Sequence, residues 1–324
     1  MNTTSATLDT PRLGDFVLGL HLRHLRECQG LARADISHRM PDHIPVTADG
    51  LAAIENGQSP QLRHAAERGR HHHYLTAYGA GHEASLDYLR RAQQITASPP
   101  DGFVDDGLGW LHRYQIAEQN ADTLLLAGDR TIPTPLRTPD YTAALAMEAL
   151  APTLAAPAPP GVGCPACPAY RSGRLANPAT STAWHRALHT ARSEAFAARL
   201  HRPGPPTTTV LLAEGLLRRH VGGARTHARQ MLHLDELARE SGLQVRIVPA
   251  GSGVLLREGQ ARLRFGPRAL TTRLLNEYAT YREGASNLDA ALECALDPET
   301  SLRMVVNAAA GTLPRRPGRG ECRP

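Results

Sequence analysis

The chain lacks lysine altogether and is poor in aromatic residues. All 36 of its basic residues are arginine, and Phe, Trp and Tyr together make up 4% of the sequence. Without lysine, the chain has neither a Schiff-base amine nor the lysine of a P-loop, which excludes two common catalytic schemes. With so few rings, its cores have to be built from Leu, Ala and Val, which is compatible with a hydrophobic fraction of 41%.

Long apolar runs are also missing. No stretch approaches the roughly 20 apolar residues that a membrane-spanning helix needs. The first residues, MNTTSATLDTPRLGD, have neither the basic start nor the apolar centre of a signal peptide. The five cysteines are an odd number, which favours a reducing compartment over a disulfide framework. We therefore expect a cytoplasmic protein without a membrane partner.

The net charge of +5 is unevenly distributed along the chain. The segment 315–323 contains four Arg and one Glu, whereas the first 95 residues contain ten Arg and ten acidic residues. A protein that binds nucleic acid usually presents a basic face to the phosphates. If the N-terminal region binds DNA, its basic face must result from the arrangement of its charges and not from an excess of them.

The hydrophobic spacing predicts an α+β protein. Residues 12–96 have the spacing of five helices, 97–107 is a linker by composition, and 108–312 combines helices with short apolar strands in a mixed α/β domain. We expect disorder at 1–11 and in the basic tail 313–324. The predicted elements include a hairpin over 254–265, with its turn around Glu258–Gly259–Gln260, and a helix over 270–282.

The N-terminal helices carry a helix-turn-helix pattern. LRHLRE at 22–27 with GL at 30–31 begins it, and IENG at 54–57 ends its third helix, for which Thr47 is a suitable N-cap. This pattern resembles the XRE-type helix-turn-helix family, which implies a five-helix, lambda-repressor-like domain. In such domains the third helix lies in the major groove with its N-terminal residues at the base edges.

The resemblance implies a set of DNA-contacting residues: Arg33, Arg39, Thr47, Ala48 and Asp49. The arginines would contact the backbone and the Ala48 methyl group the bases. The set departs from the family pattern, because the Thr-Gln pair that opens the second helix is Ala32-Arg33 here, and because Asp49 would repel phosphate. Glu55 is expected to bind an arginine of the first helix, which is a structural role.

Four later segments resemble the large domain that follows such modules in one actinobacterial-type regulator family, where it is often described as antitoxin-like. They are AEQNA at 117–121, PTPLRTPDY at 133–141, VLLAE at 210–214 and QMLHL at 230–234, which leads to VRIVP at 245–249. Their order carries the resemblance more than any one of them. It implies a C-terminal domain that senses a small-molecule ligand or a small protein partner.

Four polar residues near these segments form a candidate ligand pocket: Glu118, Tyr141, Glu214 and His220. The alternative is that they brace the sheet, which is the commoner role of buried polar groups. No cofactor is predicted, since no serine nucleophile elbow, P-loop or HExxH motif is present.

Two patterns are reminiscent of metal sites, but we predict no metal. Cys164 and Cys167 form a C-x-x-C, to which His185 and His189 could add a second pair of ligands. The cysteines lie in a Pro-rich loop, so that free thiols are the preferred interpretation. Adjacent histidines such as those at 71–73 point to different faces of a helix and cannot all bind one ion.

Three functions remain open from the sequence. The first is a DNA-binding transcriptional regulator, expected to be a homodimer, that binds operator DNA and senses a ligand. The second is a cofactor-independent enzyme that holds an apolar natural-product intermediate for cyclisation by orientation alone. The third is an antitoxin-type protein-interaction module.

Overall fold

The computed structural model describes residues 12–79, 87–88, 90–92, 102–107, 109–150, 181–202, 205–275 and 278–311, without the side chains at 66–67, 149–150, 181–189 and 191. The chain divides into two compact units. The first combines 1–122, 157–187 and 262–285, and the second combines 123–156, 188–261 and 286–324. These units are defined by compactness, whereas the predicted linker at 97–107 separates domains that fold independently. The predicted domain boundaries therefore stay a prediction.

The helices follow the predicted order over most of the described chain. Their bounds are α1 (Leu13–Cys28), α2 (Arg33–Arg39), α3 (Ala48–Glu55), α4 (Gln61–Glu67), α5 (His71–Ala77), α6 (Trp110–Asn120), α7 (Pro139–Leu150), α8 (Ser181–His201), α9 (Gly223–Ser241), α10 (Asn287–Cys294) and α11 (Pro298–Ala309). None of the helices in the described part of the chain combines the length and the apolar character that a membrane crossing requires.

The strands of the first unit are β1 (Phe103–Asp105), β6 (Arg268–Leu274) and β7 (Ala279–Glu283), with most of β5 (Gln260–Phe265) beside β6. β7 pairs antiparallel with both β1 and β6. The predicted helix over 270–282 is therefore wrong. The Thr and Tyr residues of this segment favour strands, and alternate residues of β7 are buried. Together these two effects outweigh the helical spacing of the leucines.

Two further sequence predictions need correction in this region. A turn is present at Glu258–Gly259, but residues 254–258 do not form the first strand of the predicted hairpin. Instead β5 leads into its neighbour β6 through a turn at Gly266–Pro267. In addition, the segment predicted as a linker contains β1, whose Asp105 carboxylate accepts two hydrogen bonds from Arg113 in the core.

The core of the first unit forms where α1 meets α3 and the strands. The ring of Phe16 on α1 lies 4.9 Å from that of Phe265 and 6.4 Å from that of Tyr281, measured between centroids. A Cβ atom at Gly19 would fall within 3.0 Å of the Ile54 carbonyl oxygen, so that only glycine allows this close approach of α1 to the end of α3. The position of α3 is thus fixed by α1.

The second unit has three parallel strands, β2 (Thr123–Gly128), β3 (Thr207–Ala213) and β4 (Gln244–Val248), with β3 in the centre. Parallel strands need long crossover connections, here provided by helical segments. Part of the hydrophobic core comes from the strands, from α10 with the residue that follows it, and from the segment before β5: Leu125, Ala127, Leu211, Val248, Leu256, Leu288, Ala291 and Ala295. The chain begins with helices and continues with a part in which strands and helices are combined. This confirms the predicted α+β class, whereas the helix-turn-helix stays a prediction.

Candidate DNA-contacting helix and ligand cleft

α3 exposes its first turn and buries the rest. The Thr47 hydroxyl accepts a hydrogen bond from the Gly50 amide at 3.1 Å, which confirms the predicted N-cap. Thr47, Ala48 and Asp49 are exposed, whereas Leu51 and Ile54 are buried. The helix therefore presents its N-terminal end to the surroundings while its C-terminal half is held in the core.

A buried ion cluster centred on Glu55 anchors that C-terminal half. Arg26 of α1 donates from Nε and Nη2 to the two carboxylate oxygens of Glu55, at 2.6 and 2.8 Å. Arg33 of α2 donates to the same carboxylate at 2.9 Å, and the Tyr78 hydroxyl donates to it at 3.0 Å. The predicted pairing of Glu55 with an arginine of the first helix is confirmed, and the cluster extends to α2.

The charge state of this cluster follows from its contacts. Burial alone would raise the pKa of Glu55, but the hydrogen bonds and the charges of Arg26 and Arg33 lower that pKa below its usual value. Burial and the adjacent Glu55 carboxylate raise the pKa of the Tyr78 hydroxyl, which stays a donor. Glu55 is therefore ionised at neutral pH and joins three elements, α1, α2 and α3.

The five predicted DNA-contacting residues have different environments. Thr47, Ala48 and Asp49 occupy the start of α3, and Arg39 is exposed, with Nη1 3.5 Å from the Ala77 carbonyl oxygen. Arg33 is only half-exposed, because it binds Glu55. The exposed residues of α2, α3 and the turn between them also include Asp35 and Asp42. The two arginines against three aspartates, Asp49 included, leave this surface with an excess of one negative charge.

A cleft of about 660 Å³ lies at the C-terminal end of α3, within the first unit. Residues 56–58, directly after α3, form one side of the cleft, and residues from β5, β6 and β7 form the other. A second, smaller cavity of about 140 Å³ shares Asn56, Gln58 and Phe265 with it. Any ligand in the larger cleft would touch the segment that ends α3.

The lining of this cleft combines arginines with apolar groups. Arg268 donates to the Gly57 carbonyl oxygen at 3.1 Å and pairs with Glu283 at 2.9 Å. Arg262 donates to the Thr271 hydroxyl and to the Gly284 carbonyl oxygen. The apolar part consists of Phe265, Pro267 and Ala269. Two arginines against one glutamate leave the lining with an excess of one positive charge.

The predicted ligand-pocket residues are distributed over both units. Glu118 is buried on α6 of the first unit, and the other three belong to the second. The Tyr141 hydroxyl is buried and accepts a long hydrogen bond from the Ile132 amide at 3.4 Å, while Glu214 accepts one from the Ala250 amide. His220 is exposed, with its ring 4.8 Å from that of His227. Whether they bind a ligand stays a prediction.

Two of the segments that carry the C-terminal resemblance contact each other. The side-chain amide of Gln230 on α9 donates to the Leu136 carbonyl oxygen at 2.8 Å and accepts from the Thr138 amide at 2.7 Å. Gln230 is fully buried, so these bonds satisfy both polar atoms of its side-chain amide where water is excluded. Through this contact, Gln230 holds the PTPLRTP turn at 133–139 against α9, which explains why the two segments occur in the same domain.

Among the predicted metal candidates, Cys164 and Cys167 lie outside the described residues. His185 and His189 lie on α8, in the part whose side chains are not described. The structure instead brings together His24, Cys28 and His112, all in the first unit. Sequence reasoning missed this cluster. The spacing of residues 24 and 28 on one helix face was the available signal, but nothing in the sequence indicated that α6 lies beside it.

Comparison with protein-family models gives a match for the C-terminal region. Residues 167–306 match the Domain of unknown function (DUF5753). No curated protein and no solved structure matches the chain. The chain is thus similar to this domain over a stretch that includes the cleft residues of β5–β7. The match includes the segments at 210–214 and 230–249 of the predicted C-terminal resemblance. The XRE part, the segments before residue 167 and the antitoxin-like character stay predictions.

Proposed function

We propose that the protein is a DNA-binding transcriptional regulator whose third helix enters the major groove. The observation that carries this proposal is the geometry of α3. Its first turn, with Thr47, Ala48 and Asp49, is exposed, while Glu55 at its other end is held by Arg26 and Arg33. A helix that is rigidly anchored at one end and exposed at the other fits the recognition element of helix-turn-helix proteins.

The proposed effector site is the cleft at the end of α3. Its excess positive charge and the apolar surface of Phe265, Pro267 and Ala269 favour a small molecule with one anionic group next to an apolar body. A ligand bound there would contact residues 56–58 and Arg268, which bonds to Gly57. Because these residues end α3, ligand binding and DNA binding would be coupled.

The test is the selection of double-stranded DNA from a random pool with the full chain, followed by affinity measurements over a range of salt concentrations. Each phosphate contact contributes about 0.9 to the slope of log affinity against log salt. Arg39→Ala is expected to weaken binding several-fold and to reduce the slope by about that amount. Arg303→Ala, at an exposed position of α11, is the matched control and should change neither value. A pool without enrichment at low salt would overturn the proposal.

A second candidate function is small-molecule binding or catalysis without DNA binding, on a degenerate helix-turn-helix. The three exposed aspartates on the α2–α3 surface, Asp35, Asp42 and Asp49, favour it, since they would repel phosphate. Under this alternative, carboxylates with apolar bodies raise the melting temperature of the full chain, and DNA selection fails. A homodimer, a cyclisation reaction and a small protein partner stay predictions from the sequence.

A further inference from the structure

A histidine–cysteine–histidine cluster lies between α1 and α6 in the first unit. His24 and Cys28 are four residues apart and therefore on the same face of α1. The Nδ1 atom of His24 lies 2.8 Å from Nδ1 of His112 on α6, and 3.5 Å from Sγ of Cys28. One nitrogen or sulfur atom of each residue lies within 4.8 Å of those of the other two. The three side chains thus converge on one point.

We propose that this cluster binds a transition-metal ion, for which Zn²⁺ is the best match. Zinc prefers thiolate and imidazole ligands in tetrahedral geometry, with bonds of about 2.3 Å to sulfur and about 2.0 Å to nitrogen. Such geometry separates nitrogen from sulfur by about 3.5 Å, and one nitrogen from another by about 3.3 Å. The pair of His24 and Cys28 already has the required separation, and the pair of His24 and His112 would widen by about half an ångström. Cys28 and His112, whose ligand atoms lie within 4.8 Å of each other, would take up a separation of about 3.5 Å.

The surroundings suit a bound ion. His24 and Cys28 are each 1% exposed, whereas His112 is half-buried, so that an ion could reach the cluster from the His112 side. The backbone of Gly109, just before α6, approaches the ring of His24 so closely that a Cβ atom there would overlap Nε2. Glycine at this position lets α6 come near enough for His112 to join the other two ligands.

A second observation next to the cluster also indicates a missing polar partner. His21, one turn earlier on α1, is buried, and its ring stacks on Tyr88 at 4.4 Å. Neither ring nitrogen of His21 has a hydrogen-bond partner among the described residues. A buried, unpaired imidazole is costly, and its ring lies 6.5 Å from that of His24. His21 is thus a further buried imidazole, one helical turn from the cluster.

The ion would link two elements that are far apart in the sequence. α1 provides Arg26, which holds Glu55 at the end of α3, and α6 leads into the second unit of the chain. Because metal binding to the folded state adds to its stability, the ion would stabilise the position of α1 in the first unit. This proposal does not depend on DNA binding and can be tested separately from it.

The experiment uses the full chain without an affinity tag, since tag histidines bind metal. The background carries Cys164→Ala and Cys167→Ala, which removes the C-x-x-C pair as a competing thiolate site. After chelation, the protein is titrated with Co²⁺, which reports tetrahedral thiolate ligation through a charge-transfer band and intense visible bands. We expect one Co²⁺ per chain, with displacement by Zn²⁺, and a melting temperature that rises on adding Zn²⁺.

Three variants locate the ion. Cys28→Ala should abolish the charge-transfer band, and His112→Asn should weaken Co²⁺ binding at least tenfold. Cys294→Ala removes an exposed thiol on α10 and should leave the titration unchanged. Circular dichroism shows whether Cys28→Ala still folds. Because His112 is half-buried, His112→Asn is expected to fold and reports on the site even if Cys28→Ala does not. The proposal is overturned if Co²⁺ does not bind stoichiometrically, or if binding is the same in His112→Asn as in the background.

Discussion

Glu55 connects three helices through a single carboxylate. Its side chain is fully buried, and it accepts hydrogen bonds from Arg26, Arg33 and Tyr78. A buried carboxylate of this kind is stable only because its partners replace the water that it loses. The residue therefore determines whether α3 keeps the orientation that the proposed DNA contact requires.

Glu55→Gln is expected to lower the free energy of unfolding of the first unit by about 3 kcal/mol at neutral pH, because it leaves Arg26 buried without its counter-charge. The pKa of Glu55 is lowered in the folded state. Its stabilisation is therefore present above the unfolded pKa of about 4.3 and is lost as the pH falls through the folded value. The difference between Glu55→Gln and the parent chain should shrink at pH 3, measured by urea unfolding.

Glu299→Gln serves as the control for this charge removal. The Glu299 side chain is 85% exposed and lies 3.8 Å from Arg303. An exposed pair of this type contributes little, so the change should stay below about 0.5 kcal/mol. If both substitutions cost the same, or if the Glu55 effect does not depend on pH, the central role of the buried carboxylate is wrong.

At the scale of elements, the close approach of α1 and α3 depends on the absence of a side chain at Gly19. Replacing a glycine inside a helix by alanine normally stabilises the helix by up to about 1 kcal/mol. At this position the new Cβ would meet the carbonyl oxygens of Ile54 and Glu55, which are backbone atoms and cannot rotate away. Sterics and helix propensity therefore act in opposite directions at Gly19.

We expect sterics to dominate, so that Gly19→Ala lowers the free energy of unfolding by about 1–3 kcal/mol, the usual cost of overpacking. Gly215→Ala is the matched control, because a Cβ atom added there would meet no atom within 4 Å beyond its chain neighbours, and the φ angle of Gly215 is not positive. Thermal melts of the two variants check the prediction. A melting temperature for Gly19→Ala at or above that of the parent would mean that α1 and α3 can move apart at little cost.

Elements with local signals were predictable from the sequence. The bounds of α7 (Pro139–Leu150) agree with the prediction, since proline is favoured at the first position and alanines and leucines follow. The Thr47 N-cap and the pairing of Glu55 depend on residues close in sequence or on a known motif. The strands β6 and β7 were missed because Leu270, Leu274 and Leu275 also satisfy a helical spacing. Only the pairing of β7 with β6 and β1 distinguishes a strand from a helix here.

The candidate sites were less predictable, because they combine residues that are distant in the sequence. Arg268 and Gly57, which meet at the cleft, are 211 residues apart, and His24 and His112 are 88 apart. No local pattern specifies such pairs. They result from the way the N-terminal helices pack on α6 and on strands that come late in the chain, and composition and spacing do not contain that information.

At the scale of the whole molecule, the first unit is discontinuous in the sequence. Phe16 of α1 packs on Phe265 and Tyr281, and Arg268 bonds to the backbone at Gly57, so that residues 262–285 complete the core around the N-terminal helices. A fragment of residues 1–107, which contains the complete predicted helix-turn-helix domain and linker, would leave these apolar surfaces in water. Each large apolar side chain that becomes exposed costs about 1.5–3 kcal/mol, and the free energy of unfolding of a domain is only about 5–15 kcal/mol in total.

We expect the fragment of residues 1–107 to be helical by circular dichroism, but to melt without a cooperative transition and to bind hydrophobic dyes, whereas the full chain melts cooperatively. Cooperative unfolding of the fragment at a temperature near that of the full chain would show instead that the helices form an independent domain, as the sequence pattern alone suggests.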